Sequence, residues 1–310
     1  MRTGSVMAAS PRRPAWHYAM LLAGILAVST SSILIRLADA PPLVVGTWRL
    51  LLATLFLTPW ALPSARREWR ALSPADRRAL AGSGVALAIH FIAWIYSLSM
   101  TTVASSTMLV STNPIFVGLA TRYILRERVS RTMVLAIGLT LLGSAIVGYG
   151  DINLSPMALL GDGLALLGAV AGSAYILLGQ TVRKKVSTLT YIWPCYGLAG
   201  TILLLVSLAA RQPLLHVSPA TTGVFVLLAL VPQILGHSAF NWALGHFRSL
   251  LVTVALLGEP VGATLLAWLV LSEPPASLFF LGGPLILAGI FLAALSEQAG
   301  AADTVSEAVS

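Results

Sequence analysis

The chain predicts an all-α integral membrane protein, with ten transmembrane helices arranged as two inverted five-helix repeats. Three observations predict that class. The first is composition: of 310 residues, 57% are hydrophobic and only 10% charged, with a mean hydropathy of +0.87. A soluble domain carries about 25% charged residues, so this chain has too little polar surface to cover itself in water. The second is an internal repeat. Residues 101–147 slide onto 247–293 at an offset of 146 with no gap, which sets Thr107 on Thr253, Pro114 on Pro260, Glu127 on Glu273 and Gly143 on Gly289. Each copy is a long apolar segment broken by a polar-Pro pair, followed by a short break holding the matched Glu and a second apolar segment. A weak repeat in an apolar chain marks a transporter built from related halves. The third is the placement of charge. With the N-terminus in the cytoplasm, sixteen of the nineteen Lys and Arg fall on that side; Arg36 and Arg211 fall on the other, and Arg49 lies within a helix. That bias places both termini in the cytoplasm. An odd number of helices in each half then turns the second half upside down relative to the first, the architecture that alternating access needs.

The elements follow in order. Residues 1–17 form a polar cytoplasmic tail, and the apolar run after it has no cleavage site, so it reads as a first span rather than a signal peptide. Helix 1 is expected over about 18–37, ended by the turn Asp39-Ala40-Pro41-Pro42, since proline stops a helix and restrains its predecessor. Helix 2 follows to about 62, and 63–78, with five Arg and two acids, is expected as a short surface helix. Helices 3 and 4 are expected over about 79–98 and 103–124, and helix 5 ends at Tyr149. These make a first repeat over 18–149, joined by a periplasmic connection at 150–158 to a second over 159–295. The second repeat holds helices at about 159–180, 189–210, 221–244, 250–271 and 278–295. Each run is near the ~20 residues that cross hydrocarbon. The tail, 296–310, is small and polar and is expected to be disordered and cytoplasmic.

Several functions are disfavoured at once. The net charge of +8 sits in short clusters between apolar runs, which are topology signals and not a nucleic-acid face. The single Cys195 provides no disulfide and no cysteine-based metal set. There is no Walker motif and the glycines follow no strand, so neither an ATPase nor a phosphate cradle is expected. No catalytic group, metal or cofactor is assigned.

A polar side chain within hydrocarbon is costly unless it faces protein or water, so each is a candidate for a solute pathway. Asn113-Pro114 and Glu259-Pro260 come first. Each proline withdraws a hydrogen bond from a carbonyl one turn earlier, near Leu109 and Ala255, and opens a weak spot suited to solute contact or gating. Glu259 is the one carboxylate in the middle of a span, which makes it the candidate for proton coupling. His90 and Trp94 share a face of helix 3, as His237 and Asn241 share one of helix 8. With Tyr175 of helix 6 they would offer aromatic surface with polar tips, suited to a flat solute. A buried His that merely bonds a helix backbone is the plainer alternative. Arg49 is expected to snorkel outward or pair with Asp39 ahead of meeting a substrate carboxylate. Gly168, Gly172 and Gly179 give helix 6 a smooth face, and Gly143, Gly282 and Gly289 read as packing glycines.

Trp48-Arg49-Leu50, the Ala-Ser-Ser-Thr stretch 104–107, Asn113-Pro114-Ile115, Arg126-Glu127, Glu259-Pro260 and Ser272-Glu273 together resemble the drug/metabolite transporter superfamily, specifically its EamA-type carriers. Within it the chain looks most like the YddG-type aromatic amino acid exporters. The resemblance implies cytoplasmic termini, a bacterial inner membrane and a central pathway that exports small organic metabolites, amino acids including aromatic ones. It implies a small-molecule solute and membrane lipids as partners, protons as an open second possibility, and a monomer or weak dimer. One departure is Asn113, where many relatives carry Glu as this chain does at Glu259. The competing classes are an intramembrane lipid-modifying enzyme, which would want paired carboxylates or a His/Asp cluster, and a solute channel, which would want a ring of filter groups.

Overall fold

A computed structural model describes residues 14–101, 103–148, 155–272, 274–275 and 277–309. Among these, eight helices are long and apolar enough to cross a membrane, and the protein is an all-α, multi-span membrane bundle. The helical segments are α1 (Ala15–Leu37), α2 (Pro42–Ala71), α3 (Pro74–Met100), α4 (Val103–Val110 and Asn113–Leu119, with a π-helical turn Ala120–Ile124) and α5 (Arg131–Gly148). There follow α6 (Pro156–Arg183), α7 (Thr188–Ala209), α8 (Pro219–Ala243), α9 (Ser249–Leu256 and Glu259–Leu271) and α10 (Phe279–Val309). The two outside the eight are α4 and α5, whose apolar stretch Arg131–Val147 is shorter.

Two expectations need correction. No separate surface helix occupies 63–78: α2 runs through Pro59 and Pro63 to Glu68, adds one tight turn at Trp69–Ala71, and α3 begins at Pro74. The start is fixed locally. The Ser73 hydroxyl accepts from Asp76 N at 3.2 Å while Ser73 N donates to Asp76 Oδ2 at 3.0 Å, a capping box, and Pro74 takes the first helical position, where its missing N–H costs nothing. The second correction is the tail, where α10 continues helical to Val309, helped by four Ala and two Glu, which are good helix formers. Most of the turn expected at Gly150, and Glu273 of the repeat, lie outside the described residues.

Packing between the halves is symmetric. α2 lies along α7 and α5 along α10, pairs that an exchange of halves maps onto themselves. α3 packs on α6 as α8 packs on α1, and α4 packs on α6 as α9 packs on α1. The α5–α10 crossing depends on glycine. A Cβ at Gly143 would lie 2.6 Å from the Gly282 carbonyl, and one at Gly289 would lie 2.7 Å from the Ala136 carbonyl. Small residues of this kind let two helix backbones touch in a bilayer.

One face gathers the basic connections. There Lys185 Nζ pairs with Asp76 Oδ1 at 2.6 Å, and Ser187 N donates to Glu68 Oε2 at 2.6 Å. Arg248 N donates to Glu297 Oε1 at 3.0 Å, and His17 packs between Trp242 and His246 with ring centroids 5.1 and 4.9 Å away. Lys185–Asp76, Ser187–Glu68 and the His17 contacts each join the first half to the second on this face.

Candidate functional site

The site begins with two broken helices. α4 is interrupted at residues 111–112 and α9 at 257–258, which are the same positions under the 146-residue offset. Each second piece opens on the polar-Pro pair, so Asn113 and Glu259 sit at a half-helix N-terminus with Pro114 and Pro260 in its first turn. Proline is tolerated there and cannot continue the preceding helix. A half-helix N-terminus at the centre of a bundle presents unpaired N–H groups and a favourable dipole. The carbonyl freed in α4 is not that of Leu109, which accepts from Thr112 N at 3.1 Å, but that of Val110, four residues before Pro114. With its amide turned to donate, Asn113 reaches the carbonyls of Val110 and Ala169 at 2.8 Å each. In α9 the Ala255 carbonyl accepts from Gly258 N at 3.0 Å.

Both breaks open on a central cavity of about 100 Å³, room for several waters or part of a small solute. His90, Trp94, Asn113, Tyr175, His237, Asn241 and Glu259, scattered over five helices, all line it. Their free bonding capacity differs. Tyr175 and Asn241 are buried and bonded to each other, the Tyr175 hydroxyl donating to Asn241 Oδ1 at 2.9 Å. Asn241 Nδ2 also donates to the His237 carbonyl at 2.7 Å. These two therefore shape the wall. His90 Nδ1 lies 2.8 Å from the Gly168 carbonyl, so it holds α3 to α6 while its ring faces the cavity. The contact is possible because α6 is bare here: a Cβ at Gly172 would lie 2.9 Å from His90 Nδ1. The His237 ring packs 6.0 Å from the Phe91 ring, and no hydrogen bond reaches its side chain among the described residues.

Arg49 is the residue that sequence reasoning misplaced. It neither snorkels nor pairs with Asp39; it is only 2% exposed and lines the cavity. Its Nε donates to Gln233 Oε1 at 2.7 Å, its Nη1 to Ser31 Oγ at 2.8 Å, and its guanidinium lies 5.1 Å over the Phe91 ring. The third nitrogen, Nη2, makes no hydrogen bond among the described residues. Gln233 went unremarked in the sequence, although a Gln beside Pro232 in an apolar run was a signal. It sits in a π-helical stretch, Ala229–His237, where a widened turn turns a side chain to a new direction. Glu259 is the counterpart charge. Its carboxylate lines the cavity, and no hydrogen bond or ion pair reaches it among the described residues. Its backbone carbonyl accepts from Ser29 Oγ at 3.2 Å. The remaining wall is largely apolar, including Leu87, Val110, Ile176, Val252 and Leu256. Among the described residues, no group of three or more His, Cys, Asp or Glu side chains is placed to hold a metal.

This geometry and its symmetric breaks suit a membrane transporter, and comparison with known proteins gives the family. The model of the EamA-like transporter family matches twice, over residues 15–149 and 159–295, and the chain belongs to that family. It is similar to the uncharacterized transporter YdfC of Bacillus subtilis, 28% identical over 60% of this chain and 60% of that protein. An uncharacterized transporter of Archaeoglobus fulgidus is 26% identical over 85% of this chain and 91% of its own length. A protein of Streptantibioticus cattleyicolor named a probable terminal-alkyne amino-acid exporter is 26% identical over 61% of this chain and 63% of its own. A solved crystal structure superposes with a TM-score of 0.76 over 92% of this chain and 98% of the other, at 19% identity, a likeness of fold.

Proposed function

We propose that this chain is a secondary carrier that exports small zwitterionic metabolites, amino acids including aromatic ones, by alternating access through the central cavity. One observation carries the reading. One mainly apolar cavity contains a guanidinium, Arg49, and a carboxylate, Glu259, close enough to feel each other's charge, and among the described residues no hydrogen bond reaches Arg49 Nη2 or the Glu259 carboxylate. An α-amino acid is the complement of that pair: its carboxylate suits Arg49, its ammonium suits Glu259, and a flat side chain suits the surfaces of His90 and Trp94. The name of the S. cattleyicolor relative supports the same class.

The architecture we infer with it is ten spans in two inverted repeats, 18–149 and 159–295, joined by 150–158, in a bacterial inner membrane with both termini cytoplasmic. Matched breaks at 111–112 and 257–258 support the repeat, and the Arg-rich face supports the orientation. Asn113, Pro114, Glu259 and Pro260 then form the moving centre, with His237 and Thr253 beside it.

Counterflow in proteoliposomes tests the reading. Vesicles are preloaded with mixed amino acids, and uptake of labelled phenylalanine, tryptophan or threonine is followed with and without a pH gradient. Saturable, preload-dependent uptake is the expected result. No exchange of any amino acid by folded protein would overturn the substrate class. Uptake that needs the gradient would identify proton exchange, with Glu259 as the first group to substitute; uptake indifferent to it would identify a facilitative carrier.

A further inference from the structure

A second chamber, about 110 Å³, lies on the side away from the basic face. Its wall is almost wholly apolar: Ile35 at the end of α1, Pro42, Val45 and Gly46 at the start of α2, and Ile95 and Ser99 at the end of α3. Pro42 and Ser99 are exposed, so this chamber is the one nearer the surface. Three residues line both chambers: Arg49, Phe91 and Trp94. They form a partition, one turn of α2 facing one turn of α3, with the Arg49 guanidinium held over the Phe91 ring. Two polar atoms in that partition lack partners among the described residues. One is Arg49 Nη2; the other is Trp94 Nε1, which is buried. A buried indole N–H ordinarily finds an acceptor, and two idle donors in one partition suit a shared acceptor such as a carboxylate.

The two chambers are chemically unequal. The central one offers Glu259, Asn113 and two imidazoles besides Arg49; the second offers apolar surface and Arg49 alone as a charge. A solute that carries a carboxylate and an apolar side chain can therefore keep the first fixed while the second changes rooms. The route past the Phe91–Trp94 ring pair never strips the carboxylate of its cation, a step that would be costly in so apolar a setting.

We propose that the second chamber is a subsite for the apolar side chain of the solute, with Arg49 as the carboxylate anchor for both chambers and the pivot about which the solute turns between them. The proposal rests on the carboxylate-bearing solute of the preceding reading and adds a place for its side chain that the central cavity does not require. Arg49 keeps its pivot position because Gln233 and Ser31 hold Nε and Nη1, leaving Nη2 to work on either side.

Thiol protection tests this. In a Cys195→Ala background, which removes the one native and fully buried thiol, single cysteines are placed at Val110→Cys in the central cavity and Ile35→Cys in the second chamber. Ser99→Cys, at an exposed position, serves as a second reporter of that chamber should Ile35→Cys fold poorly. A charged methanethiosulfonate labels each in detergent, with L-phenylalanine or glycine as the protecting probe. The expected result is that phenylalanine slows labelling about fivefold or more at both chambers, that glycine leaves the second chamber unprotected, and that Arg49→Gln abolishes both protections. Protection by phenylalanine at Val110→Cys alone would overturn the second subsite and leave the amino acid reading standing. Equal protection of the second chamber by glycine would overturn it too, since a side chain would not be the occupant. No protection at either chamber would overturn both readings.

Discussion

Arg49 is buried in the centre of a membrane bundle, where an unpaired cation is costly. Its stability comes from Gln233, Ser31 and the face of Phe91, an arrangement that satisfies two nitrogens and leaves one. Arg49→Lys preserves the charge but not the planar fork, so it cannot serve Gln233, Ser31 and a solute together. A hydrogen bond to a charged group contributes ~1.5–3 kcal/mol, so Arg49→Lys is expected to lower phenylalanine exchange by roughly ten- to a hundredfold while the protein remains folded, checked by counterflow beside size-exclusion chromatography. Glu259 allows a sharper comparison. If it receives the ammonium, wild-type protein will prefer phenylalanine to 3-phenylpropionate, which lacks the amine, by about tenfold or more. In Glu259→Gln that preference is expected to vanish through weaker phenylalanine competition, with phenylpropionate unchanged. An equal loss for both compounds would argue that Glu259 supports the wall and does not touch the amine. His90 shows how close the plainer alternative came: its ring both lines the cavity and bonds the Gly168 carbonyl.

Helices α4 and α9 carry the repeat into three dimensions, since both break at the matched position and both restart on a polar-Pro pair. Alanine at Pro114 or Pro260 would restore the missing N–H and favour a continuous helix. Each variant is therefore expected to remain as heat-stable as wild type, or slightly more so, while exchanging solute several-fold more slowly, as read by thermal unfolding and counterflow on the same sample. An unchanged rate would argue that the breaks are static. Away from the cavity, α5 and α10 touch at Gly143 and Gly282, where a Cβ would sit 2.6 Å from a backbone carbonyl. Backbone cannot give as a side-chain tip can, so Gly143→Leu should destabilise the bundle by about 1–3 kcal/mol, the usual cost of overpacking. A lower midpoint in thermal unfolding is the check.

The basic face of the molecule joins its two halves, and the second chamber lies toward the opposite side. The halves meet there through Lys185–Asp76 at 2.6 Å, Ser187 N to Glu68 at 2.6 Å and the His17, Trp242 and His246 rings. The Lys185 side chain is 51% exposed, so this pair is screened and individually weak. Under the proposed alternating access, a latch of weak contacts suits two states that lie close in energy. Glu68→Gln with Asp76→Asn is expected to raise labelling of a cysteine at Val110 from the basic side by roughly two- to fivefold, with less effect at high salt. No change would place the latch in the aromatic cluster instead.

Composition, the 146-residue repeat and the charge bias were sufficient for a multi-span helical bundle of two related halves, because composition and charge answer demands of the bilayer along the chain and the repeat shows directly as like residues at one fixed offset. The candidate polar residues were legible for the same reason, since a polar group in hydrocarbon is conspicuous wherever it sits. Which of them retains a free atom was not legible. Tyr175 and Asn241 satisfy each other across 66 positions, and Arg49 is held by Gln233 across 184. Such pairings belong to no local pattern, and they alone determine that Arg49, read from sequence as an outward-reaching anchor, is instead the cation shared by two chambers. Tertiary structure decided the site because a side chain's remaining hydrogen-bonding capacity depends on what the rest of the chain packs against it.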